Sequence, residues 1–123
     1  MSQKENIFIA DDKPYAINAL RCIIEDLGSE EWKVVGTANS VDEARRVIDK
    51  LTEQQTIVTL GIIDHRMPDE SDGKLVAIQL KQAFPQVKTA SFSTYEDEEI
   101  TWGDFNWDKG SRPTEIVKLI RNT

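Results

Sequence analysis

Cysteine and long apolar runs are nearly missing from this chain, and basic residues are outnumbered. A single cysteine, Cys22, in 123 residues excludes an internal disulfide framework. It falls in an apolar helical pattern, where a small buried hydrophobe is expected rather than a reactive thiol. No apolar segment approaches the roughly 20 residues that span a bilayer, and the mean hydropathy of −0.46 agrees with a soluble chain. The N-terminal MSQKEN runs into IFIADD without an apolar leader or a small-residue cleavage site, so no secretory signal is expected and the cytoplasm is the expected location. Against 22 Asp and Glu stand only 15 Lys and Arg, a net charge of −7. Such a surface disfavours direct binding of nucleic acid or of anionic membranes, which need phosphate neutralisation. A metal ion or a protein partner is more compatible with it.

What is present is an alternation of short apolar runs and helical patterns, which predicts βα units and a mostly parallel sheet in one domain spanning residues 1–123. The first strand is expected at Asn6–Ala10. A helix opened by Pro14 follows, its stripe of Ile17, Leu20, Ile23, Ile24 and Leu27 halted by Gly28. Trp32–Ala38 reads as the second strand. Ser40 and Glu43 form a capping-box pattern before a helix whose buried stripe is Val41, Ala44, Val47, Ile48 and Leu51. Ile57–Ile63 is a continuous apolar strand, as expected where both sheet faces are covered. The loop HRMPDESDG precedes a third helix with Leu75, Ile78, Leu80 and Phe84 among its apolar positions, ending before Pro85. Val87–Ser93 and Phe105–Asp108 are the fourth and fifth strands, and the last helix starts at Pro113 with Ile116, Val117, Leu119 and Ile120. Tyr95–Gly103 is irregular and acidic, with room for two helical turns at most. The initial Met and the last helix suggest a complete chain.

Chemistry concentrates at one edge of the predicted sheet. Asp11 and Asp12 follow the first strand, and Asp64 follows the third. In doubly wound sheets ligands bind at the carboxyl ends of the strands, where strand order reverses. Carboxylates gathered there repel one another unless a cation compensates. Mg²⁺ suits the need, since it takes hard oxygen ligands and bridges to phosphate; it would also neutralise charge on a phosphoryl group moving to Asp64. Ser93 and Lys109 end the fourth and fifth strands, where a hydroxyl and an ammonium could meet the same group. Taken singly, each residue has a plainer reading. An Asp at a strand end often caps a helix or forms a turn, and a surface lysine is usually only solvated. The convergence of five such residues on one edge favours the functional reading.

These residues resemble the response-regulator receiver family, above all its single-domain CheY-type members, through IFIADD, GIIDHRMP, SFSTYEDEE and WDKG in that order along the whole chain. The resemblance implies a flavodoxin-like fold, a five-stranded parallel sheet of order 2-1-3-4-5 with helices on both faces. It implies Asp64 as phosphoacceptor, charged by a histidine kinase, a phosphotransfer protein or a small phosphodonor in a bacterial two-component phosphorelay. Asp11, Asp12, Asp64 and the backbone carbonyl of Arg66 would hold Mg²⁺. Ser93 would be the switch hydroxyl and Lys109 the phosphoryl partner, with the backbone amides of His65 and Thr94 cradling the oxygens. Met67–Pro68 would shape the loop beside them. No enzyme turnover is implied beyond self-phosphorylation and self-dephosphorylation on Asp64.

Several positions depart from the family pattern. Only 16 positions separate Ser93 from Lys109, so the fourth helix is expected to be truncated or missing. Asn106 stands where many members carry a switching Tyr or Phe. Gly110 follows Lys109 where Pro is common, so no cis peptide is expected there. The loop from Pro68 to Gly73 is one residue longer than usual. Trp102, Phe105 and Trp107 lie in the altered segment, either filling the space of the shortened helix or forming a docking or dimer surface. His65 is expected to point away from Asp64 and to pack, while Arg66 and Tyr95 border the site. Two other classes compete with the phosphoacceptor switch. One is a non-phosphorylated adaptor with the same fold, acting by constitutive protein contacts. The other is an aspartyl phosphatase resembling the haloacid dehalogenases, which would need a second Asp where Arg66 stands.

Overall fold

The computed structural model describes residues 4–69, 71–94 and 100–123. Its elements are β1 (Glu5–Ala10), α1 (Pro14–Leu27), β2 (Trp32–Ala38), α2 (Val41–Glu53), β3 (Leu60–Asp64), α3 (Asp72–Ala83), β4 (Lys88–Ser93), β5 (Phe105–Asp108) and α4 (Pro113–Arg121). The strands form one sheet in the order β2-β1-β3-β4-β5, and every pairing is parallel. This is the expected topology. Among the described residues no helix is long and apolar enough to cross a membrane.

The pleat divides the core between two layers. Ile7, Ile9, Leu60, Ile62, Ala90 and Trp107 face α1 and α4, joining Leu20, Ile24, Ile116 and Ile120. Phe8, Ala10 and Ile63 point the other way, onto α2 and α3 with Ala44, Ile48, Val76 and Leu80. Alternation within β1 and β3 therefore feeds both layers, and the strands read as unbroken apolar runs.

Local signals set several ends. Pro14 opens α1, and Gly28 closes it, because a Cβ there would strike the Ile24 carbonyl and approach the Trp32 ring at 2.6 Å. At α2, Ser40 Oγ accepts from the Glu43 amide at 3.1 Å. The Glu43 carboxylate returns to the Asn39 amide at 2.8 Å, one residue upstream of the cap.

Three expectations need correction, and the orientation of α3 becomes visible beside them. β3 begins at Leu60, not Ile57, because the ladder to β1 starts at Ile7 opposite Leu60; Ile57 lies outside it, 65% exposed. Leu75 and Ile78 of α3 are also exposed, since the helix carries two apolar stripes and turns Gly73, Val76, Ala77 and Leu80 inward. Cys22 is exposed too: the inward face of α1 is Ile17, Leu20 and Ile24, and Cys22 falls off that stripe. The three aromatics Trp102, Phe105 and Trp107 do not form one patch. Phe105 and Trp107 pack together beneath α1 and α4, with ring centroids 6.1 Å apart, whereas Trp102 packs against the opposite layer. The three rings therefore do not present one continuous surface.

No helix lies in residues 100–104, between β4 and β5. Tyr95 and the rest of the stretch to residue 99, where a truncated fourth helix or none was expected, lie outside the described residues. The segment entering β5 is fastened by Asp104. Its carboxylate accepts from Lys81 Nζ at 2.7 Å and from the Thr89 amide at 2.9 Å, tying α3 and β4 to the approach of the edge strand. Burial alone would raise this carboxyl, but the hydrogen bonds from Lys81 and Thr89 outweigh it and hold the group below its ordinary value of 3.8.

Candidate functional site

Parallel strands carry their C-terminal residues to one edge, and there four of the expected side chains meet. Asp11 directly follows β1; its amide donates to the Ala38 carbonyl at 3.0 Å, continuing the ladder with β2. Asp64 is the last residue of β3. Lys109 directly follows β5, and its amide donates to the Ser93 carbonyl at 2.7 Å. One carboxylate oxygen each from Asp11, Asp12 and Asp64 lies within 4.8 Å of the others. Lys109 Nζ reaches Asp11 Oδ2 at 2.9 Å and Asp64 Oδ1 at 3.1 Å.

Among the described residues Lys109 is the ammonium in hydrogen-bond contact with these carboxylates, and the pocket keeps excess negative charge. Burial first, and then the neighbouring charge of Asp11, push the Asp64 carboxyl up to about 7, against the opposing pull of Lys109. Burial alone would lower the Lys109 ammonium, but its hydrogen bond to Asp11 and the charges of Asp64 and Asp11 outweigh it, so its proton is held more tightly than usual. Asp11 Oδ1 is occupied by the Lys13 amide at 3.0 Å. Asp12 Oδ1 is buried and has no hydrogen-bond partner among the described residues; the Lys13 ammonium stands 4.0 Å from it. A hard divalent cation answers both features: it supplies the missing positive charge and an electrophile for that oxygen.

The remaining candidates lie at the end of β4 and in the loops beyond β3 and β4. Ser93 is buried at the end of β4. Its backbone carbonyl positions Lys109, and its residue pairs with Asp108 across the ladder. Thr94 is exposed just beyond it. With Lys109 and Phe92 it lines an open groove of about 400 Å³ against α1. Arg66 is exposed in the loop after β3. The Met67–Pro68 peptide is cis and the Lys109–Gly110 peptide is not, as expected for the latter. Asn106 is exposed, with Oδ1 accepting from Ser91 Oγ at 2.7 Å and Nδ2 donating to the Ile100 carbonyl at 3.2 Å.

His65 takes the expected packing role, though with a partner that sequence spacing does not reveal. It is buried, and its Nδ1 accepts from Trp102 Nε1 at 3.3 Å while the rings stack at 6.4 Å. Its backbone is held from the other side: the Gly73 amide donates to the His65 carbonyl at 3.2 Å. A side chain at Gly73 could not fit, since its Cβ would collide with the Asp64 carbonyl and come within 2.9 Å of that of His65. The Asp104 fastening was likewise invisible in sequence, because Lys81, Thr89 and Asp104 come from separate segments.

No family model matches this chain, and no curated protein is similar to it in sequence. Solved structures are. The signal receiver domain of the putative response regulator NarL from Mycobacterium tuberculosis superposes with a TM-score of 0.76 at 23% identity, covering 98% of this chain and 95% of that one. The isolated REC domain of RcsB from Salmonella enterica serovar Typhimurium, in the presence of phosphomimetic BeF₃⁻, gives a TM-score of 0.72 at 23% identity over 96% of this chain and 86% of that one. The response regulator domain of Thermotoga maritima CheB gives 0.72 at 18% identity over 98% and 96%.

This chain has the receiver-domain fold. Its sheet order and element sequence are those the resemblance implied, with four helices among the described residues. A longer RcsB structure is matched over only 60% of its length, so the receiver fold makes up part of that protein.

Proposed function

We propose that the chain, residues 1–123, is a single receiver domain of two-component signalling that accepts a phosphoryl group on Asp64. The observation carrying this reading is the contact of Lys109 Nζ with both Asp11 and Asp64 beside a buried Asp12 oxygen that accepts no hydrogen bond among the described residues. Separate strand ends converge there on an acid, a cation and an incomplete ligand set.

In the proposed step, a carboxylate oxygen of Asp64 attacks phosphorus, forming an acyl phosphate as the bond from phosphorus to the donor's leaving atom breaks. The donor is a phosphohistidine of a histidine kinase or phosphotransfer protein, or a small acyl phosphate. Asp64 must be ionised to attack, and Lys109 favours that form. Lys109 would then exchange its carboxylate contact for a phosphoryl oxygen. Ser93 Oγ and the amides of His65 and Thr94 would donate to the other oxygens. Asp11, Asp12, Asp64 and the Arg66 carbonyl would hold Mg²⁺, which when bound supplies positive charge against the transferring group. The modified form would bind a protein partner differently, with no turnover of substrate. A cytoplasmic location is part of this reading.

The test is intact-mass measurement after incubation with acetyl phosphate. One added phosphoryl group that requires Mg²⁺ and vanishes in Asp64→Ala is expected. No addition to the wild-type chain defeats the proposal. One observation favours the adaptor reading instead: Asn106, in place of a mobile aromatic, is tied to Ser91 and to the Ile100 carbonyl. Under that reading Asp64→Ala and the wild type would bind a partner equally.

A further inference from the structure

With Asn106 tied to both β4 and the segment entering β5, a change at Asp64 needs another way to reach the surface. A physical connection from the site toward the surface is the His65–Trp102 pair. His65 follows Asp64 directly in the chain, and its carbonyl is anchored to the start of α3 by the Gly73 amide at 3.2 Å. Its imidazole receives the Trp102 indole N–H at 3.3 Å and lies nearly parallel to that ring, at 20°. Trp102 is half-buried. Its other surroundings are Lys74, Ala77, Ile78 and Lys81, with which it lines an open groove of about 340 Å³ on α3. One side chain thus touches the residue beside Asp64 at one end and a surface groove at the other.

We propose that Trp102 is the residue that carries the state of Asp64 to the surface, with the His65 side chain as the intervening contact. This rests on the receiver reading above and specifies its regulation. The turn after β3 is held between Asp64 and Gly73 with no room for a Cβ at the latter. A displacement of that turn when a group binds Asp64 cannot be absorbed toward α3. It moves the imidazole, and with it the indole that donates to it. Packed contacts of this kind have discrete arrangements rather than a continuum. Coupling is reciprocal, so removing the indole must also change how readily Asp64 is occupied.

The experiment uses the full chain labelled with 5-fluorotryptophan, whose Trp32, Trp102 and Trp107 give three ¹⁹F resonances. Trp102→Phe assigns the middle one of these residues, and Trp102→Tyr serves if the first variant does not fold. Mg²⁺ and beryllium fluoride are titrated in, and the bound fluoride appears in the same spectrum. The expected result is a shifted or doubled Trp102 resonance that follows the bound-fluoride signal, with Trp32 unmoved. In the Trp102 variant the half-saturating fluoride concentration should change by at least about threefold. A stationary Trp102 resonance with bound fluoride present, or a smaller change in the variant, overturns the inference alone. No bound-fluoride signal overturns the receiver reading together with it.

Discussion

Lys109 Nζ stands 3.1 Å from Asp64 Oδ1, the last residue of the central strand meeting the first residue beyond the edge strand. The same ammonium reaches Asp11, so one cation holds two buried carboxylates together. Without metal, Lys109→Met leaves those charges uncompensated and should cost about 2–4 kcal/mol at pH 8. At pH 5 the loss should be smaller, because Asp64 can take a proton instead. Urea unfolding at the two pH values checks this; equal losses would contradict it.

Asp64 itself has a raised carboxyl, about 7 against an ordinary 3.8. Between those values the folded chain holds a proton that the unfolded chain has released, so this group lowers stability as pH rises from about 4 to 7. The penalty is complete above that window. Asp64→Asn should therefore stabilise the metal-free chain by roughly 1–3 kcal/mol at pH 8, with little effect near pH 4. Thermal unfolding across that range measures it, and a variant less stable than wild type at pH 8 would refute the assignment.

Asp104 has the opposite sign. Its carboxyl lies below 3.8, so its contribution is present above that value and disappears as pH falls through the lowered one. Both side chains of its pair with Lys81 are more than a third exposed, which limits the gain. Asp104→Ala should cost about 1 kcal/mol near pH 7 through the lost Lys81 and Thr89 bonds, and less in strong acid, where only the charge-independent part of those bonds is left to lose. Denaturant midpoints at pH 7 and pH 2.5 would show it.

Gly73→Ala should be costly despite the usual preference of helices for alanine. Its Cβ would run into the carbonyl of Asp64 and crowd that of His65, both backbone atoms. A loss of at least about 2 kcal/mol is expected, together with weakened Mg²⁺ binding as the Asp64 turn shifts. Calorimetry and metal titration of the variant test both. A gain in stability would mean that the turn yields easily.

The amino-acid order alone determined the alternation of elements, the strand order through the resemblance, and the placing of Asp11, Asp12, Asp64 and Lys109 at strand ends. Such information is local: apolar runs, caps and breakers act within a few residues. It could not place the start of β3, which depends on where β1 offers partners, nor choose between the two apolar stripes of α3. Only the tertiary structure decided that Trp102 meets His65 while Phe105 and Trp107 turn to the opposite layer. Only it fastened Asp104 to Lys81 and Thr89. Those contacts join residues 37, 23 and 15 positions apart, and separations of that kind leave no periodic trace in a chain.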